Sequence, residues 1–133
     1  MTAPRNKKGN TPHQARQHAE RKGRQAEWLV ACHYFARGYR IIAIRYKSPG
    51  GEADLVAFRG DTLAFIEVKA RNDFDTAILA VAPRQRARIE SASRNFLSRN
   101  RQYAEFGVRF DIAAVVGWQV RLTKDAWRAR QPI

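Results

Sequence analysis

Two strand-forming runs, Gly51 to Arg59 and Thr62 to Arg71, are separated only by Gly60-Asp61, and no other feature restricts the fold of this chain as much. A Gly-X pair between such runs reads as the two-residue loop of a β-hairpin, with glycine taking the positive φ at the first position of a type II′ turn. The loop fixes the register. Arg59 faces Thr62, and counting outward from that pair sets Asp54 opposite Glu67 and Glu52 opposite Lys69. Opposed side chains share a face with Cβ atoms about 4.5–5.5 Å apart, and alternation keeps Glu52 with Asp54 and Glu67 with Lys69. Three acids and one amine are thereby expected on one patch.

Two carboxylates so placed repel unless a proton, a lysine or a cation stands between them. A solvated sheet face of mixed charge would carry the same string. Against that reading, the strands are apolar on both sides, with Ala53, Leu55 and Ala57 on one and Val56, Phe58, Leu63 and Phe65 on the other. A strand buried on both faces has no solvated side for charge, and charges kept there pair with each other or with a metal. A hard cation such as Mg²⁺ takes oxygen ligands and needs only one or two carboxylates. Asp54 and Glu67 are therefore the candidate pair, with Lys69 placed to orient an attacking water or to stabilise a pentacovalent transition state. No Ser or Cys with a neighbouring base is evident. Metal-assisted phosphodiester hydrolysis is the chemistry that joins acids, a lysine and a cationic surface.

The cationic surface follows from composition. The 133 residues carry 25 Lys and Arg against 12 Asp and Glu, a formal net charge of +13, which points to a polyanionic partner, nucleic acid before an anionic membrane. The one cysteine, Cys32, cannot form an internal disulfide, which fits a reducing cytoplasm. No apolar run reaches the roughly 18–20 residues of a membrane span, and the basic N-terminus lacks the apolar centre of a secretory signal.

Residues 1–22 are poor in large apolar side chains and read as a basic, flexible or partly helical arm. Residues 23–122 read as one α/β domain, and residues 123–133 as a basic tail whose Trp127 either covers the core or stacks on a partner. A first helix runs from Gly23 to Arg37 and stops at Gly38. Glu27 shares its stripe with Val30, Ala31 and Tyr34. Trp28, Cys32 and Phe35 form a second apolar stripe, so this helix packs on the sheet with one side and on another element, or a second copy of the chain in a homodimer, with the other. Glu27 reads equally as a surface acid paired with Arg24 or in contact with the helix N-terminal dipole. Strand Tyr39 to Arg45 precedes the hairpin, and Asn72 to Ala77 reads as a loop. A second helix from Pro83 to about Arg99 buries Ile89, Ala92 and Phe96. Its arginines, Arg84, Arg88 and Arg99 along one edge, are candidates for phosphate contacts together with Arg71. A strand follows at Gly107 to Val116, then a short one at Gln119 to Leu122. The order implies a mixed central sheet flanked by helices.

Gly51-Glu52-Ala53-Asp54-Leu55-Val56 followed by Phe65-Ile66-Glu67-Val68-Lys69-Ala70-Arg71 resembles the signature of the YraN-type family of small bacterial proteins. That family belongs to the restriction-endonuclease-like superfamily and is related to archaeal Holliday-junction resolvases. Gly23-Arg24-Gln25-Ala26-Glu27 resembles its opening helix and Arg109-Phe110-Asp111 its late strand, so the likeness covers about residues 23–122. The resemblance implies a restriction-endonuclease-like fold in which Asp54 and Glu67 bind Mg²⁺ or Mn²⁺ and the Val68 carbonyl adds a ligand. Lys69 would assist the water, and Glu27 would be an auxiliary ligand. Ala53 stands where Ile is usual, and Arg84 where the second helix usually begins with Lys. The expected function is metal-dependent cleavage of structured or branched DNA; the alternative is a nucleic-acid-binding protein of the same fold without catalysis.

Overall fold

The computed structural model describes residues 11–131 and 133. Helix α1 (Pro12–Ala36) leads into strands β1 (Arg40–Ser48), β2 (Gly51–Arg59) and β3 (Thr62–Ala70). Helices α2 (Phe74–Leu79) and α3 (Pro83–Arg99) follow, then a single 3-10 turn at Arg101–Tyr103 and strands β4 (Gly107–Val116) and β5 (Gln119–Trp127). The five strands form one sheet in the order β1-β2-β3-β4-β5, antiparallel except for the parallel β3–β4 pair. A parallel neighbour needs a crossover, and the segment carrying α2 and α3 supplies it. The result is a mixed α/β architecture, a central sheet flanked by helices, compatible with a nuclease-like fold.

Each face of the sheet has its own core. Under α1, Ala26, Val30, Ala31 and Tyr34 pack on Leu55, Ala57, Ala64 and Ile66. Under α3, Ile89, Ala92 and Phe96 pack on Val56, Leu63, Phe65 and Phe110. The helix α3 comes so close to β2 that a Cβ on Gly51 would lie 1.9 Å from the Arg88 carbonyl oxygen. Only glycine fits there.

The hairpin forms as the Gly60-Asp61 pair requires. Gly60 has φ +61° while Asp61 is not among the residues of positive φ, the type II′ pattern, and pairing runs from Arg59↔Thr62 to Leu55↔Ile66. There it stops. The direct opposition of Asp54 to Glu67 and of Glu52 to Lys69 does not form, because β2 beyond Leu55 keeps its pairing to β1, through Tyr46↔Ala53 to Ser48↔Gly51, and leaves β3.

The parting has a local cause in β1 and β2. Ile44 and Leu55, a cross-strand pair, belong to the core under α1, whereas Tyr46 and Ala53, the next pair, belong to the core under α3. A regular strand keeps i and i+2 on one side, so both strands roll over between these pairs, at Arg45 and Asp54. Arg45 has φ +58°, the left-handed region rarely adopted by a side-chain-bearing residue. The expectation that Ala53 lies with Leu55 and Ala57 is corrected accordingly.

Four boundaries differ from the sequence reading, the first being that β1 runs from Arg40 on to Ser48 instead of ending at Arg45. α1 begins at Pro12 rather than Gly23, closed by a capping box in which Thr11 and Gln14 exchange side-chain to backbone bonds of 3.1 and 3.0 Å; residues 1–10 of the expected arm lie outside the described residues. The expected loop Asn72 to Ala77 holds the start of α2, capped by Asp73, which accepts from the Thr76 N–H at 2.8 Å. β5 runs on to Trp127, so residues 123–127 of the expected tail are strand. Trp127 covers the core, stacked on Phe110 at 5.2 Å and donating to Glu90 at 3.1 Å.

Candidate active site

The gap where β2 leaves β3 gathers four of the charged residues singled out by the sequence. Asp54 turns into the gap and takes the place of a backbone partner, its Oδ2 accepting from the Val68 N–H at 2.8 Å. In a strand the N–H and C=O of one residue point to the same side, so the Val68 carbonyl faces the gap as well. Glu67, only 2% exposed, follows Phe65 on the α3 side of β3. Its Oε1 accepts from Gln85 of α3 at 3.1 Å and meets the Lys69 ammonium at 3.2 Å. Its Oε2 is buried with no hydrogen-bond partner.

Glu27 reaches the same neighbourhood from α1. It is buried in the helix stripe and paired with Arg45 at 2.6 Å, not with Arg24. Its charge is felt at Asp54, whose pKa is raised by burial, lowered by the Val68 N–H and raised again by Glu27. Glu67 is pushed up to about 8, by burial first and by the Asp54 charge second, with Lys69 opposing both. Burial and the Asp54 charge thus favour the protonated form of Glu67, in which it can share its proton with Asp54. A shallow cleft of about 210 Å³ lined by Glu27, Arg45, Lys47, Glu52 and Asp54 opens the site to solvent. Glu52 thus belongs to the outer rim, paired across the strand with Lys47.

Among the described residues no three His, Cys, Asp or Glu side chains converge to hold an ion by themselves. The oxygens that could hold a hard divalent cation are those of Asp54 and Glu67 with the Val68 carbonyl, a set of two carboxylates completed by water. The orphaned, buried Glu67 Oε2 is the feature such a cation would satisfy.

The candidate phosphate-binding arginines divide. Arg84 and Arg88 are exposed on the first turns of α3; the Arg88 backbone lies against Gly51 of β2, whereas Arg84 lines a groove on the β5 side with Trp127. Arg99 is exposed at the far end of that helix, about 20 Å along its axis from Gln85, and does not join the site. Arg71 is exposed just beyond β3 and donates to its neighbour's carbonyl, that of Ala70, at 2.7 Å. The structure adds Arg45 and Gln85, which the sequence reading did not place in the site. Gln85 had a signal, since it extends the buried stripe of α3 toward the sheet. Arg45 had none, because its role depends on an unusual backbone conformation. It also adds Arg128 and Arg130, which line one groove with Arg84 and Arg86.

Arg109-Phe110-Asp111 has a different part. Asp111 is fully buried and accepts from the Tyr34 hydroxyl, from Arg109 Nε and Nη2, each at 2.8 Å, and from the Asp125 N–H at 2.9 Å. Arg109 also donates to the Tyr39 hydroxyl at 2.8 Å. Burial, then the Asp111 charge, hold the Tyr34 proton firmly in place by raising its pKa. This closed network ties α1 to β4 and pins the irregularity of β5 at Asp125, where φ is +53°.

Comparison with known proteins gives one consistent family. The profile described as "Uncharacterised protein family UPF0102" matches residues 26–115, the segment holding Glu27, the hairpin, α3 and most of β4. A UPF0102 protein of Paramagnetospirillum magneticum is 47% identical over 122 residues, covering 88% of this chain and 95% of its own. One from Mesorhizobium japonicum is 43% identical over 108 residues, covering 81% and 86%, and one from Bradyrhizobium diazoefficiens is 48% identical over 97 residues, covering 73% of each. With the profile spanning the site and relatives aligned along most of its length, this chain belongs to the UPF0102 family.

Proposed function

We propose that this chain is a Mg²⁺- or Mn²⁺-dependent nuclease that hydrolyses phosphodiester bonds in structured or branched DNA. One observation carries the reading: a buried glutamate with an unpartnered oxygen sits across a strand gap from a second carboxylate, with a lysine at 3.2 Å. Two carboxylates buried side by side repel unless a shared proton or a cation stands between them, and a cation would also satisfy Glu67 Oε2.

The chemistry supplied by a bound cation is polarisation of a phosphoryl oxygen and a more acidic water. The chain's own residues divide the remaining work. Asp54, held by the Val68 N–H, and Glu67, oriented by Gln85, offer the oxygens, and Glu67 gives up its proton when they are used. Lys69 directs the attacking water and offsets the charge that develops on the phosphoryl group. Glu27, fixed by Arg45, stands as the auxiliary acid at the rim, and Arg84, Arg88 and Arg71 hold the sugar-phosphate backbone. The choice of branched DNA rests on the likeness to Holliday-junction resolvases.

Wild-type protein is expected to nick branched DNA in Mg²⁺ or Mn²⁺, and folded Asp54→Asn and Lys69→Ala variants to lose at least about a hundredfold in rate. Cleavage retained in both variants would remove this site from the reaction. The alternative, nucleic-acid binding without catalysis, is favoured by the exposed arginines, which work without the carboxylates; it predicts salt-dependent binding indifferent to cation and to both substitutions. A homodimer has one support, the exposure of Trp28 and Phe35 on the outer side of α1, at 62% and 73%.

No helix among the described residues is long and apolar enough to cross a membrane.

A further inference from the structure

The turn between β4 and β5 holds a feature that the proposed reaction leaves unused. Gly117 takes φ +59° and the next residue, Trp118, is 85% exposed, the most exposed large apolar side chain described. A large aromatic held in water at the tip of a two-residue turn contributes nothing to the core, and such exposure marks a contact surface. Trp118 is not isolated. It walls a cleft of about 240 Å³ whose floor is formed by Ala26, Leu29, Ala70 and Val115. Lys22 and Arg71 stand on the rim.

An apolar floor, one free π-face and two cations suit a ligand that is flat and apolar at one end and anionic at the other. A nucleotide of a single strand has that form: the base stacks on the indole while the phosphate meets Lys22 and Arg71. We infer that the cleft between α1 and the β4–β5 turn holds an unpaired nucleotide of a single-stranded segment, stacked on Trp118.

The inference rests on the proposed nuclease reading for its substrate class and gives it a sharper form. Ala70 lies three residues beyond Glu67, roughly 10 Å along β3, and its side packs toward α1 whereas Glu67 faces α3. The solvent opening of the gap, however, is the cleft lined by Glu27 of α1, so both clefts run along α1, which supplies Ala26 to one and Glu27 to the other. A single strand laid along α1 meets both, its bases free to stack on Trp118; in a blunt duplex the paired bases are not free to do so.

The test uses the full chain in chelator, where no cleavage occurs, with fluorescein-labelled oligothymidylate and a blunt hairpin duplex carrying the same number of phosphates. Trp118→Ala is expected to weaken oligothymidylate binding at least about tenfold, with the salt dependence unchanged and the duplex affinity within about twofold. Trp118→Phe keeps most of the affinity, and Arg71→Ala lowers the salt dependence. Equal affinity of wild type and Trp118→Ala for the oligonucleotide, or an equal loss on both nucleic acids, overturns the assignment. So does an indole emission shift with phosphatidylglycerol vesicles and none with the oligonucleotide, which would make the cleft a membrane contact. Because chelator is present, binding that fails here leaves the Asp54–Glu67 chemistry untouched, and cleavage that fails elsewhere leaves this result standing.

Discussion

Glu67→Gln is expected to resist denaturant better than the wild-type protein in chelator at alkaline pH, and to lack the metal-dependent cleavage proposed for the wild type. The folded protein raises Glu67 from 4.5 to about 8, chiefly by burial and then by the Asp54 charge. Between those two values the folded chain holds a proton that the unfolded chain has released, so stability falls as pH climbs through that window. Below it the cost vanishes; above it an ionised carboxylate is buried with one oxygen unpartnered. Lys69 offsets part of this through its 3.2 Å contact, and Asp54, also raised, acts in the same direction. A neutral glutamine avoids the buried charge. The gain is about 2–4 kcal/mol near pH 9 and within about 1 kcal/mol of zero near pH 5, read from urea midpoints at the two pH values. A variant less stable than wild type at both would show that Glu67 is a structural residue whose ionised form the fold requires.

Asp111→Ala is expected to cost about 3–5 kcal/mol, because it strands the half-buried Arg109 guanidinium and leaves the Tyr34 hydroxyl and the Asp125 N–H without their acceptor. Against a total of about 5–15 kcal/mol for a domain of this size, that brings the protein near unfolding at moderate temperature. Arg109→Ala added to Asp111→Ala is expected to cost much less than the sum of the two, since both break one network. A urea midpoint for Asp111→Ala matching wild type would mean that the network is not what secures β4 to α1. The contrast with Glu67 is instructive: Asp111 has every oxygen occupied, Glu67 has one free, and only the second arrangement calls for a ligand.

The frame of this fold was legible because local chemistry and global pattern agree in it. Gly60-Asp61 announces the hairpin, the spacing of Glu27, Val30, Ala31 and Tyr34 announces the buried side of α1, and Pro83 announces the start of α3. The starts of α1 and α2 also carry local signals: Thr11-Pro12-His13-Gln14 is a capping box with proline at the first helical position, and Asp73 is a strong N-cap. β5 was cut short because Lys124 and Asp125 interrupt its alternation, and the irregularity that accommodates them is made by Asp111 on the neighbouring strand. The clustering of Asp54, Glu67 and Lys69 was legible, and its geometry was not. Counting from the turn gives the right pairs as far as Leu55↔Ile66, but the rollover at Arg45 and Asp54 is set by one left-handed residue, which composition and periodicity do not reveal. What looked like two opposed carboxylates is a parted pair of strands with a carboxylate standing in for a backbone acceptor.

The most direct test of the account is calorimetric titration of Mn²⁺ into wild type and into Asp54→Asn near neutral pH. The prediction is a single site in the wild-type protein, with proton release as Glu67 ionises and affinity reduced at least about tenfold in the variant. Equal binding by both proteins, or no binding by wild type at millimolar Mn²⁺, would contradict the claim that the gap between β2 and β3 is a place for a divalent cation.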